Sequence, residues 1–380
     1  MTDSTDNELP LARSYKRFIN PKPARNHQDV MVILTSSLAA VLLSLFVAAV
    51  VLWVSGKDAT ALFEKMWDNL SSSSKLYEMV DRATPMIIAA VAVAIGFKMN
   101  LFNIGVEGQY LMGVFFAAVI GTQFELPPVV HITLIMVVAM AFGSLWAAIA
   151  AVLKVTRGVN EVIATIMLNA LALNLIDFLF NDYFRYESAS LDVKTKPLPT
   201  TARFPELVDG KLSAYILVAL AVAFIYWLVV FKSRFGYRLR ASGINAGAAR
   251  TGGIAANKMI LAAMLLSGAI AGLTGLKYLL GESYAYGPTR PEGFGFSGIA
   301  VALLGRNHPA GIVVSALLFG FLDSLSGPLQ IAKIPSSIVL VIKAIILLGV
   351  VIVNEVVEVK VARRTADRTA AQLAVAEVAA

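Results

Sequence analysis

The run from Val30 to Val54 is 25 residues long and carries no charged side chain. Wound as an α-helix at 1.5 Å per residue, it can cross the roughly 30 Å of hydrocarbon in a bilayer. Apolar runs then recur along the chain, at Thr84–Phe97, Tyr110–Thr122, Pro127–Leu153, Glu161–Phe180, Leu212–Phe231, Lys258–Leu280, Gly293–Leu304, Ile312–Leu322 and Ile334–Val353. Composition agrees with that pattern. The 380 residues are 58% apolar and 15% charged, against about 45–50% and about 25% in soluble domains, and mean hydropathy is +0.73. The expected fold is an all-α integral membrane domain over 30–353 with about ten transmembrane helices, flanked by tails at 1–29 and 354–380. Residues 1–29 are polar, hold Pro10, Pro21 and Pro23, and lack the apolar core of a cleaved signal peptide. Cysteine is absent, which removes disulfides and thiolate metal sites.

A net charge of +7, from 32 basic and 25 acidic residues, does not mark a nucleic-acid binder. The basic residues fall in short connections between spans, where they set orientation. With the amino end inside, the inside segments hold 18 Lys and Arg and the outside segments 11. Both termini are therefore expected in the cytoplasm, with residues 55–83 as an exterior loop that can carry a surface helix and 181–211 as a second exterior loop. The second loop holds Pro197, Pro199 and Pro205, and its five basic and five acidic residues cancel.

Between two of the shorter apolar runs lies Lys98–Gln109, polar and rich in glycine. Two short hydrophobic pieces around a Gly-interrupted polar segment predict a broken helix near a transport path. A carboxylate inside a membrane is costly unless it faces a cavity or a partner. Glu107 is thus a functional candidate, with Asn103 and Gln109 beside it, although a short aqueous turn accounts for the position equally well. Phe97, Phe102 and Tyr110 could stack on a ring. On the run that Asn160 can cap, Thr165, Asn169 and Asp177 fall within about 120° of one face, at about 100° per residue. Gly293, Gly295 and Gly298 spell GxGxxG, but the flanking spans leave no place for a dinucleotide fold, and close helix packing is the better account. Gly105–Gly113 is loosely echoed by Gly295–Gly305, and Gly158–Leu173 by Lys333–Leu348, a weak internal repeat of the kind transporters show. No GxxxxGK[ST] run occurs, so the chain has no Walker loop for ATP. His27, His131 and His308 have no ligand spacing, and no metal site is expected.

The remaining feature is Lys232–Asn257, which carries Lys232, Arg234, Arg238, Arg240 and Arg250 and no acidic residue. Asn245 can cap a short helix of small residues, Ala246–Thr251, and Gly252 with Gly253 can end it. A short helix with a small-residue face can press its backbone into a cleft on another protein. A solvated anchor loop is the plainer alternative. The run Gly243–Ile254, GINAGAARTGGI, resembles the cytoplasmic coupling loop of ABC importer permeases, in the branch that moves ribose, galactosides and nucleosides. Asn103–Gln109, NIGVEGQ, and Gly293–Gly305, GFGFSGIAVALLG, resemble two further stretches of its nucleoside-type members.

The resemblance covers about residues 84–353 and implies a pore-forming subunit of an ATP-driven importer in a bacterial inner membrane, not an enzyme. It implies a separate ATP-binding subunit that holds the ATP, so no cofactor in this chain. It also implies a second homologous permease or a second copy of the chain, and a periplasmic or lipoprotein solute-binding protein. The solute expected is a nucleoside, with simple sugars and branched-chain amino acids as alternatives. On this reading the path residues are Phe97, Asn103, Glu107, Gln109, Tyr110 and Asn169. The coupling residues are Arg240, Gly243, Asn245, Ala248, Ala249, Arg250, Gly252 and Gly253, with Ala249 expected on the docking face. One rival is a secondary transporter with Glu107 or Asp177 as its ion-coupling site, which would work without ATP. A membrane-embedded enzyme is the other, and the chain offers it no clustered histidines, paired carboxylates or nucleophile with a base.

Overall fold

The computed structural model describes residues 42–43, 45–186, 193–288, 291–349 and 352. The tails at 1–29 and 354–380, the start of the Val30–Val54 run, and Arg290 lie outside the described residues. Among the described residues, six helices are long and apolar enough to cross a membrane: Ser73–Lys98, Pro128–Arg157, Glu161–Phe184, Tyr215–Lys232, Ala256–Ser283 and Pro309–Ile331. Four shorter apolar helices, Leu45–Val54, Val106–Gly121, Phe294–Leu304 and Ser337–Gly349, complete ten. All ten predicted runs thus contain helix.

The chain forms two compact units, Met1–Met66 with Ser326–Ala380, and Trp67–Leu325. The first contains α1 (Leu45–Val54), and α2 (Ala59–Ser71) reaches its boundary. The larger unit holds α3 (Ser73–Lys98), α4 (Val106–Gly121), α5 (Pro128–Arg157), α6 (Glu161–Leu179), α7 (Tyr215–Tyr226), α8 (Arg234–Ile244), α9 (Ala246–Thr251), α10 (Ala256–Gly272), α11 (Phe294–Leu304) and α12 (Pro309–Ser324).

The centre of the larger unit is α3, buried without interruption from Ala83 to Lys98. A helix surrounded on every side needs apolar residues all round rather than in a stripe, and MIIAAVAVAIGF (Met86–Phe97) supplies them. Gly298 of α11 rests on Ala89 and Ala90, where an added Cβ would stand 2.7 Å from the Ala89 methyl. From α10, the Ser267 hydroxyl donates to the Ala92 carbonyl at 2.7 Å. Gly298 therefore serves helix packing, as expected, whereas a Cβ on Gly293 would meet nothing and that glycine instead turns the chain at φ 86°.

Residues 55–83 are mostly helix rather than open loop. Helix α2 runs through much of that stretch, and α3 begins at Ser73, well before the apolar run. The charges that suggested a loop neutralise one another along one helix face: Glu78 bridges Lys75 at 2.7 Å and Arg82 at 2.8 Å. Spacings of three and four residues make such pairs neighbours only when the segment is helical.

A second knot joins α4, α5 and α10. A Cβ on Gly143 would lie 3.0 Å from the Gly272 nitrogen, and one on Gly113 would lie 2.7 Å from the Ala139 carbonyl. Small residues at these crossings let backbones touch, which is how membrane helices gain packing energy without a hydrophobic drive. Of the 181–211 loop, the described part builds a two-stranded hairpin, β1 (Glu206–Val208) with β2 (Leu212–Ser213). It is tied to the chain beyond α10 by the Thr195 amide to the Tyr286 carbonyl at 2.8 Å and the Leu198 amide to the Tyr284 carbonyl at 2.7 Å.

Candidate functional site

Helix α3 ends at Lys98, and Asn100 turns the chain at φ 59°, a left-handed conformation that Asn tolerates better than most residues. The connection to α4 then passes through Asn103, which is fully buried. Its Nδ2 donates to Gln109 Oε1 at 3.0 Å and to Ser267 Oγ at 2.9 Å. Its Oδ1 accepts from the Gly105 amide and from Gln109 Nε2, each at 3.0 Å. Asn103 and Gln109 are therefore a reciprocal amide pair, and Ser267 fastens the pair to α10. From α6, Asn169 accepts from the Gly108 amide at 2.9 Å and donates to the Ile104 carbonyl at 3.0 Å. A helix start leaves its first amides without intrahelical partners, and Asn169 supplies one from a neighbouring helix.

Glu107 stands in the first turn of α4 with 5% of its surface exposed. Its oxygens accept from the amides of Gly293 at 2.6 Å and Gly295 at 2.7 Å, at the start of α11. The Tyr110 hydroxyl lies 3.2 Å from Glu107 Oε1 and donates to the Pro291 carbonyl at 3.0 Å. Two stretches that echo one another in sequence, around Gly105 and Gly295, therefore open two short helices whose starts meet at one carboxylate. Among the aromatic residues, Phe97 packs edge-on against Phe102 with centroids 5.1 Å apart. Tyr110 meets Phe294, which stacks on Tyr278 at 5.5 Å. All six predicted path residues are buried, and within this cluster their polar atoms are engaged with one another or with neighbouring backbone. Thr165 and Asn169 share the buried face of α6 as expected, whereas Asp177 is exposed, at the far edge of the predicted arc.

The predicted short helix Ala246–Thr251 is present. Asn245 Oδ1 accepts from the Gly247 and Ala248 amides at 2.9 and 3.0 Å and so starts α9. Gly252 and Gly253 end it, Gly253 at φ 77°, with the Ile254 amide returning to the Ala249 carbonyl at 2.9 Å. Asn245, Ala248, Arg250, Gly252 and Gly253 are exposed. Ala249 is not, at 5%. Its methyl points into the protein, because the one-turn helix must hold itself against the chain with some residue. The outward face is Ala246, Gly247, Ala248 and Arg250.

Gly243, at the end of α8, touches the end of α3: an added Cβ would lie 2.6 Å from the Lys98 carbonyl oxygen and 2.9 Å from Met99 Cα. The short-helix loop thus abuts the turn that leads to Asn103. Nearby, Lys98 Nζ and the Arg240 guanidinium lie 5.3 and 5.5 Å from the Phe231 ring centroid. His308 packs against the same ring, and burial together with the charge of Lys98 pushes its imidazole below the usual range.

One polar group went unnoticed in the sequence. Lys277, 2% exposed, pairs with Asp81 of α3 and with Glu282. Asp81 also accepts from the Ser213 amide of β2 at 3.1 Å. A lysine inside the run Lys258–Leu280 was the available signal, since a charge within a span needs a partner; the Ser267 hydroxyl in the same run gave no such signal. Among the described residues no group of His, Cys, Asp and Glu is placed to hold a metal ion.

Comparison with known proteins places these features in a family. The guanosine ABC transporter permease protein NupP of Bacillus subtilis is 37% identical over 82% of this chain and 91% of its own length. The nucleoside ABC transporter permease protein NupB of Lactococcus lactis is 30% identical over 82% and 88%. The glucose ABC transporter permease protein TsgB13 of Haloferax volcanii is 31% identical over 81% and 84%. The family model described as "Branched-chain amino acid transport system / permease component" matches residues 77–351, which include the central helix, the paired short helices and the short-helix loop, and the chain belongs to that family.

Proposed function

We propose that this chain is the permease subunit of an ATP-driven importer of nucleosides, set in the inner membrane of a bacterium with both termini in the cytoplasm. The observation that carries the solute assignment is the 37% identity to the guanosine permease, sustained over 82% of the chain. Nucleoside permeases recur among the other relatives, and a glucose permease among them makes a simple sugar the second reading.

On this proposal a separate ATP-binding subunit seats α9 in a cleft, and ATP-driven closure pushes it. Gly243 passes the push to the Lys98–Met99 turn, and from there it reaches the amide cluster at the start of α4. The packed helices then exchange which side is open. Phe97, Asn103, Glu107, Gln109, Tyr110 and Asn169 border the path. Arg240 and Arg250 flank the docking helix. A second permease chain, homologous or identical, faces this one across the path, and an exterior binding protein delivers solute.

The test is reconstitution in proteoliposomes with the ATP-binding subunit and binding protein. Labelled guanosine should accumulate only with ATP, and unlabelled nucleosides should compete better than glucose. Accumulation driven by a proton or sodium gradient without ATP refutes the proposal.

A further inference from the structure

Two short helices begin at one carboxylate. Glu107, in the first turn of α4, accepts from Gly293, the residue that caps α11, at 2.6 Å and from Gly295, in the first turn of α11, at 2.7 Å. Free amides and the helix dipole make such a start attractive to an anion. In transporters built from broken helices, those starts meet anionic groups of the solute. Here the chain itself supplies the anion.

The surroundings are shaped for it. Gly293 sits at φ 86°, which glycine adopts without strain. A Cβ on Gly295 would stand 2.5 Å from the Glu107 nitrogen and 2.9 Å from Oε2, so a side chain there would push the carboxylate off its amides. Both bonds are in the short range of charge-assisted pairs.

We propose that Glu107 is a resident anion that fills the helix starts from within, making the path select uncharged solutes over solutes bearing a carboxylate or phosphate. A solute anion arriving there would find the two amides taken and a fixed negative charge facing it. This makes Glu107 a selectivity residue, and it rests on the reading that the path runs past the starts of α4 and α11.

The test uses the complex with its ATP-binding subunit in nanodiscs, without the binding protein, whose own selectivity would mask the effect. Equilibrium binding of a nucleoside and of its 5′-carboxylate analogue is measured for wild type and Glu107→Gln, which keeps size and removes charge. Wild type should prefer the nucleoside, and Glu107→Gln should lower that preference at least about tenfold. An unchanged preference overturns the proposal. In a second arm, formate is titrated into Glu107→Ala and wild type while the thermal midpoint is followed. Stabilisation of the variant alone is expected, and no response of the variant shows that the helix starts are not an anion cradle. If wild type binds neither nucleoside nor analogue, the nucleoside assignment fails, while the formate arm still decides the role of Glu107.

Discussion

Replacing Asn103 by Leu should be more damaging than replacing both Asn103 and its partner Gln109. Asn103 makes four hydrogen bonds in a fully buried position. Asn103→Leu leaves the Gly105 amide and both ends of the Gln109 amide without partners; Ser267 keeps its bond to the Ala92 carbonyl. At about 1–3 kcal/mol for each orphaned buried group, the cost is about 3–9 kcal/mol. Adding Gln109→Leu removes two of the three orphans and leaves a cost of about 1–3 kcal/mol. Gln109→Leu alone is milder still, because Asn103 retains Gly105 and Ser267. The assay is the thermal midpoint of the purified protein. For a chain of this length the size trend gives about 1–2 °C per kcal/mol, so the single Asn103 variant should fall by about 9 °C and the double variant by about 3 °C. A double variant no more stable than Asn103→Leu would refute the idea that the two amides act as one unit.

Three other outcomes follow from the geometry. Ala248→Glu, on the outward face of α9, should leave the thermal midpoint within the range of neutral surface changes and lower ATP-driven uptake about tenfold, the equivalent of about 1.4 kcal/mol of docking free energy; Ala249→Glu, buried, should instead lower the midpoint and the yield of folded protein. Gly243→Val drives a side chain into the Lys98–Met99 backbone, an overpacking cost of about 1–3 kcal/mol, and should let ATP hydrolysis proceed while uptake falls, measured together in proteoliposomes. Lys277→Met leaves Asp81 without its buried partner and should cost about 3–5 kcal/mol, and adding Asp81→Asn should recover part of the lost midpoint.

The central helix shows both the reach and the limit of local reading. Its apolar stretch to Phe97 was plain, because burial on all sides requires hydrophobicity on all sides. Its first turns were not, because Lys75, Glu78 and Arg82 read as polar loop until helix geometry brings them together. The short helix α9 was legible to the residue at its cap, since Asn245 bonds to amides two and three positions away. Which of its alanines faces inward was not, since that depends on the neighbours α8 and α10.

The sequence by itself determined the helical membrane class, the ten apolar segments, the glycine-broken start of α4 and the small-residue helix after Asn245. Each rests on hydropathy, spacing or a cap within a few residues. Only the tertiary structure decided that Glu107 grips a helix start 186 residues away, that Asn103 meets Ser267 across 164 residues, and that Lys277 answers Asp81. Hydrogen bonds and ion pairs of this kind leave no periodic trace along the chain, because their geometry exists only once separate helices have packed.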